Sequence, residues 1–215
     1  MLQVITLPGS EAPTLSNTYL VFAEGSNTCA VIDPSDAESV LALLREKGLT
    51  CSHILLTHGH YDHIGGVAAL AAATGADVCV HEADAAKLGS NRESLSFLWG
   101  RQLAPVNPAR LLQDGENIAA GGLAFEVLHT PGHTPGCVIY KVSGEPAAFS
   151  GDTIFFEDVG ATRFPGSDFG ALKKSFARVM KELPPDCVLY PGHGPSTTVA
   201  HEAVFGPLAQ GIRNK

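Results

Sequence analysis

The stretch LLTHGHYDHIGG, Leu55–Gly66, places His58, His60, Asp62 and His63 within six residues, between an apolar run and a glycine pair. Imidazole and carboxylate are the side chains that hold borderline divalent ions. In extended chain alternate side chains point the same way, so His58 and His60 can grip one ion together. Asp62 and His63 then open a helix, where the chain reverses and they can face a neighbouring ion. Taken alone, such a turn serves a single structural zinc or no metal at all.

Three further turns, each after a strand-like run, offer one ligand apiece: HTPGHTPG supplies His133, FSGDTIF supplies Asp152 and LYPGHGP supplies His193. Structural zinc sites close with about four ligands, usually including cysteine. Five histidines and two aspartates without cysteine instead suit two ions sharing a carboxylate, roughly 3.5–4 Å apart, with positions left open for water. His53, His81, His129 and His201 fall outside this pattern and read as ordinary histidines. His129, four residues before His133, belongs in a strand or braces a ligand from behind. Cys137 lies near the turn but reads as core.

These turns need strands to end where the ligands begin. QVITL (3–7), TYLVF (18–22), CAVID (29–33), HILLT (53–57) and ADVCV (76–80) read as strands of a first half. A helix after residue 33 is expected to start at a capping box of Ser35 and Glu38, bury Val40, Leu43 and Leu44, and stop at Gly48. A second runs from Ile64 to Ala73, where Gly65 and Gly66 let helix and sheet approach closely. In the second half LAFEVLHT (123–130), CVIYKV (137–142), AAFSG (147–151) and CVLY (187–190) read as strands, and a helix capped by Asp168 carries Phe169, Leu172, Phe176 and Val179. Strand groups with helices interspersed, twice over, predict one α/β domain over residues 1–215: an αββα sandwich, two sheets face to face with helices outside.

Composition narrows the partners. The 14 Lys and Arg against 22 Asp and Glu give a formal charge of −8, and no basic cluster is present to track nucleic acid. No segment approaches the roughly 18 apolar residues of a membrane span, and the N-terminus has no basic-then-apolar leader. Five widely spaced cysteines, Cys29, Cys51, Cys79, Cys137 and Cys187, read as reduced core residues of a cytoplasmic protein. Oligomeric state is not legible.

The order H-x-H-x-D-H, then His, Asp and His, resembles the metallo-β-lactamase superfamily over nearly the whole chain. That resemblance implies that His58, His60 and His133 hold one ion, Asp62, His63 and His193 hold a second, and Asp152 bridges them. Zinc is the implied metal, with iron or manganese as alternatives. The lactamase members lack a carboxylate at the Asp152 position. Homoserine-lactone hydrolases carry a tyrosine three residues after it, where this chain has Phe155. HTPGHTPG, GDTIFF and YPGHGP look most like the short, single-domain glyoxalase II (hydroxyacylglutathione hydrolase) members. Full-length glyoxalase II adds a glutathione-gripping helical region, whereas 22 residues follow His193 here.

The implied reaction is hydrolysis of a small acyl thioester by metal-activated hydroxide, with Asp62 and Asp152 as catalytic carboxylates and Asp62 also orienting the nucleophile. Alternatives are a persulfide dioxygenase with a single iron, a lactone hydrolase, and a metal-binding protein without turnover. Short relatives read G-R-[ST]-D-F-P-G where this chain has VGATRFPGSD (159–168). Arg163 either anchors a substrate carboxylate from its shifted position or pairs with a surface acid. In residues 90–110, expected as a loop or short helices over the site, Phe97, Leu98 and Trp99 either line a pocket or pack the loop down. Tyr61 touches substrate or walls the site.

Overall fold

Twelve strands form two six-stranded sheets in the computed structural model, which describes residues 1–9 and 16–211. The first sheet holds β1 (Leu2–Leu7), β2 (Thr18–Ala23), β3 (Thr28–Ile32), β4 (Thr50–Leu55), β5 (Asp77–His81) and β6 (Arg110–Leu112), in that order. β1 to β3 pair antiparallel, and β3 to β6 run parallel. The second sheet runs from β7 (Asn117–Ala120) through β8 (Leu123–His129), β9 (Val138–Val142), β10 (Ala147–Gly151) and β11 (Val188–Pro191) to β12 (Thr197–Thr198). Only the β10–β11 pair in it is parallel. α1 (Ala37–Lys47), α2 (Tyr61–Ile64) and α3 (Val67–Thr74) fall between strands of the first sheet, and α4 (Phe169–Glu182) and α5 (Val199–Phe205) between or after strands of the second.

The central strands are apolar at successive positions because both of their faces are buried. Tyr19, Val21, Ile32 and Leu55 of the first sheet pack with Phe125, Tyr140 and Phe149 of the second. The alternate residues Leu20, Val31 and Ile54 pack outward with Val40 and Leu44 of α1 and Val67 and Leu70 of α3. On the far side, Ile139, Ala148 and Leu189 pack with Leu172, Phe176 and Val179 of α4. The result is the expected αββα sandwich, one domain with helices outside both sheets.

Two local expectations are corrected. α1 is capped by Asp36, whose carboxylate accepts from the Glu38 and Ser39 amides at 3.3 and 2.9 Å. Ser35 is instead tied to β2, its amide donating to Thr18 Oγ1 at 3.2 Å, and a carboxylate suits the positive end of a helix better than a hydroxyl. The single helix expected over Ile64–Ala73 starts earlier and is broken in two at Gly65 and Gly66. A Cβ on Gly66 would lie 2.6 Å from the Ala37 nitrogen and 2.8 Å from the Pro34 carbonyl oxygen, so this glycine lets α3 seat against the turn before α1. All five cysteines are buried and free. No helix among the described residues is long and apolar enough to cross a membrane.

Candidate metal centre

The seven ligand-type residues lie just beyond the C-terminal ends of four strands. His58 and His60 follow β4, Asp62 and His63 sit in α2, His133 follows β8, Asp152 follows β10 and His193 follows β11. Ligating atoms of His58, His60 and His133 all lie within 4.8 Å of one another, and those of Asp62, His63 and His193 form a second group at the same limit. Asp152 stands between the two: its Oδ1 is 3.2 Å from His63 Nε2, and its Oδ2 is 3.4 Å from His133 Nε2 and 3.7 Å from His193 Nε2. His193 Nε2 is also 3.2 Å from Asp62 Oδ2.

Among the described residues His58 Nε2, His63 Nε2 and Asp152 Oδ1 are buried without a hydrogen-bond partner. Each such atom costs about 1–3 kcal/mol unless something satisfies it. Three of them converging among imidazoles and carboxylates fit divalent cations, and the pair of triads around one carboxylate fits two.

Charge at the centre is arranged for metal exchange. Burial lowers the pKa of His58 well below its ordinary value and that of His60 to about 3, so both are neutral ligands. At His63 and His193 burial works the same way, but the facing carboxylates outweigh it and hold both above the ordinary value. Asp152 stays well below the usual carboxylate range despite its burial, because His63, His133 and His193 surround it. A cation must therefore displace protons from His63 and His193. Loading the metal-free protein with zinc is expected to release protons, counted by calorimetry in buffers of different ionisation enthalpy. Because both histidines are held above the ordinary value, the protons they give up diminish and apparent metal affinity climbs as pH rises through their titration.

Groups behind the ligands fix their direction. His133 Nδ1 donates to the Ala161 carbonyl at 2.8 Å, leaving Nε2 facing inward. His63 Nδ1 meets Asp33 Oδ2 at 2.9 Å. Asp33 Oδ1 also accepts from the Thr57 amide at 2.8 Å, and Oδ2 from the Thr57 hydroxyl at 2.5 Å. Asp84, fully buried, joins two ligand turns: Oδ2 accepts from the Gly59 amide and the Thr134 hydroxyl, both at 2.8 Å, and Oδ1 from the Gly136 amide at 2.9 Å. Neither aspartate is evident from sequence; the signal for Asp33 is a carboxylate closing a buried apolar strand. Asp84→Ala is expected to destabilise the metal-free protein by about 3 kcal/mol or more, since three donors lose their acceptor. Urea unfolding measures it.

A cavity of about 500 Å³ opens on the centre. His60, Asp62, His133, Asp152 and His193 line it, with Leu95, Leu98, Trp99, Phe155, Phe156 and Phe164, and with Asp158 and Arg163. Leu98 and Trp99 are 53% and 39% exposed and belong to a 3-10 helix, Ser96–Trp99, so this loop presents them to the cavity mouth and does not pack them down. Phe97, 56% exposed, is not part of the lining. Arg163 makes no ion pair among the described residues; its guanidinium lies 5.5 Å from the Phe164 ring centre. Adjacent helical residues point about 100° apart, so with Asp62 turned to the centre Tyr61 sits beside Gly65, outside the lining. His129 ends β8, its ring donating to the Pro135 carbonyl at 2.8 Å, and thereby braces the His133 turn.

Residues 12–193 match the family described as the metallo-beta-lactamase superfamily. The chain is 32% identical over 195 residues to the hydroxyacylglutathione hydrolase GloC of Haemophilus influenzae, covering 89% of this chain and 92% of that protein. Among solved structures, the BLEG-1 B3 metallo-beta-lactamase superposes with a TM-score of 0.87 at 33% identity, over 97% of this chain and 99% of its own. TTHA1623 in a di-iron-bound form gives 0.82 at 37% identity, over 95% and 98%. ETHE1 from Myxococcus xanthus gives 0.79 at 29% identity, over 97% and 85%.

Proposed function

The chain belongs to the metallo-β-lactamase superfamily of metal-dependent hydrolases, and from that membership we propose that it is a dinuclear hydrolase of small acyl thioesters. The observation that carries this reading is Asp152, a buried carboxylate within 3.7 Å of members of both ligand triads. The likeness to a hydroxyacylglutathione hydrolase at near full length supports the choice of a thioester.

In this reading His58, His60 and His133 hold one cation, Asp62, His63 and His193 the other, and Asp152 both. The chemistry such ions would supply when bound is a water acidic enough to ionise near neutrality and polarisation of an acyl carbonyl. Zinc is the proposed metal, and the same imidazole and carboxylate donors accept iron or manganese. Asp62, half-buried and facing both His193 and the cavity, orients the attacking oxygen. Asp152 keeps His63, His133 and His193 converged on the reacting atoms. The aromatic side chains of the cavity exclude bulk water, which strengthens every charge interaction inside. A thiolate leaves without needing protonation, and no buried acid is required for it.

Protein purified without chelator, with its metal quantified, is expected to release thiol from a panel of acyl thioesters and to lose that activity on chelation. Folded, metal-loaded protein that releases no thiol overturns the reading. If it consumes oxygen with glutathione persulfide, a mononuclear-iron dioxygenase takes its place; if it opens lactones, a lactonase does.

A further inference from the structure

We propose, resting on the thioester reading, that the preferred substrate carries an apolar arm, aryl or medium-chain alkyl, with a single carboxylate for Arg163, and that a peptidic thiol such as glutathione is a poor partner. Aromatic rings pack directly against the histidines of the centre. The Phe164 ring meets His60 and His133 edge-on at 5.5 and 5.9 Å, and Phe155 meets His193 at 5.8 Å. A substituent leaving the scissile carbonyl therefore runs along these rings. Further out, Leu98, Trp99 and Phe156 remain 53%, 39% and 43% exposed. Large apolar groups clustered in water around a polar centre mark a surface made to be covered.

Both sides of the mouth are held by the backbone. Leu95 and Gly100, which flank the 3-10 helix, adopt φ of 63° and 61°. Opposite, Phe155 and Asp158 pair across a tight turn in which Glu157 has φ of 54°. The Glu157 amide donates to the carboxylate of fully buried Glu202, at 3.1 and 3.2 Å. Phe155 and Phe156 are thus displayed by an anchored turn.

Charge tells against glutathione. Among the described lining residues Arg163 is the one lysine or arginine, and Asp158 stands at the same mouth. Glutathione brings two carboxylates, an ammonium and two amides, and desolvating these without partners costs binding. Arg163, stacked on Phe164 and free of any ion pair among the described residues, matches one carboxylate.

Trp99 is the chain's only tryptophan, so fluorescence of the metal-loaded protein reports occupancy of the mouth without any turnover. Titration with 3-phenylpropanol or 1-octanol is expected to give a saturable change, and S-methylglutathione, whose sulfur is blocked, none over the same range. R163A is expected to leave the alcohols' affinity unaltered and to cut kcat/KM about tenfold for an apolar acyl ester of an anionic thiol and not for that of a neutral thiol; F156S is expected to weaken the alcohols. In parallel, kcat/KM for a 3-phenylpropanoyl or octanoyl ester of a small anionic thiol should exceed that for S-lactoylglutathione at least about tenfold. Preference for S-lactoylglutathione, or a Trp99 response to S-methylglutathione and not to the apolar probes, overturns the inference while the thioesterase reading stands. A Trp99 response to the apolar probes with no thioester cleaved upholds the apolar mouth and sinks the thioesterase reading alone.

Discussion

Asp152→Ala is expected to leave at most one tightly held metal ion per chain and to cut kcat/KM for thioester cleavage about 10³-fold or more. The size of the effect follows from position. Asp152 is buried and stands within 3.7 Å of His63, His133 and His193, which come from different turns. Its carboxylate also faces all three imidazoles, which hold it below the usual range while it helps to hold His63 above the ordinary one. Without it Asp62 would be the one carboxylate left in the ligand set, and two cations would lack a shared anion to offset their repulsion. Asp152→Asn keeps the volume and one oxygen but not the charge, so it should resemble alanine in metal content and wild type in fold. Elemental analysis, thiol release and near-UV circular dichroism on the same samples separate these effects. Two retained ions and an unchanged rate in Asp152→Ala would remove Asp152 from the centre.

The second large effect is expected at Asp33, which is not part of the lining of the cavity at the centre. Its side chain accepts from the Thr57 amide, the Thr57 hydroxyl and His63 Nδ1 at once. Asn at this position can still accept from the Thr57 amide, but its NH2 then faces two donors. His63 escapes by shifting its proton from Nδ1 to Nε2, the nitrogen aimed at the metal. Asp33→Asn is therefore expected to weaken metal affinity about 10–100-fold with the fold retained, measured by competition with a chromogenic chelator. Asp33→Ala removes the acceptor for the buried Thr57 amide as well and should lower stability by about 2–4 kcal/mol in the metal-free protein. An unchanged affinity in Asp33→Asn would mean that His63 needs no partner behind it.

The seven ligand-type residues are legible in sequence because they sit in turns announced by glycine or proline after an apolar run, or, for Asp62 and His63, in the short helix that such a turn opens. Burial on both faces makes β4 and β10 read as strands, and the stripe of Leu172, Phe176 and Val179 makes α4 read as a helix. What sequence conceals is partnership over distance. Asp33 serves residues 24 and 30 positions away, and Asp84 serves residues 25, 50 and 52 positions away. No local periodicity marks such contacts. Neighbouring side chains are another source of error: Ser35 and Asp36 both suit a helix cap, and the bond of the Ser35 amide to Thr18 together with the carboxylate's fit to the helix end decides between them. β6, three residues long, and α5, seven residues long, are too short for periodicity to show. The direction of Leu98 and Trp99 is likewise set by the left-handed turns that flank them and not by their hydrophobicity.

The most direct measurement of the central claim is a titration of metal-free protein with zinc, following thioester cleavage against equivalents added. Two cations sharing Asp152 predict that activity climbs until about two equivalents are bound per chain and then levels off. Full activity at one equivalent, or two equivalents bound with no thiol released, would contradict it.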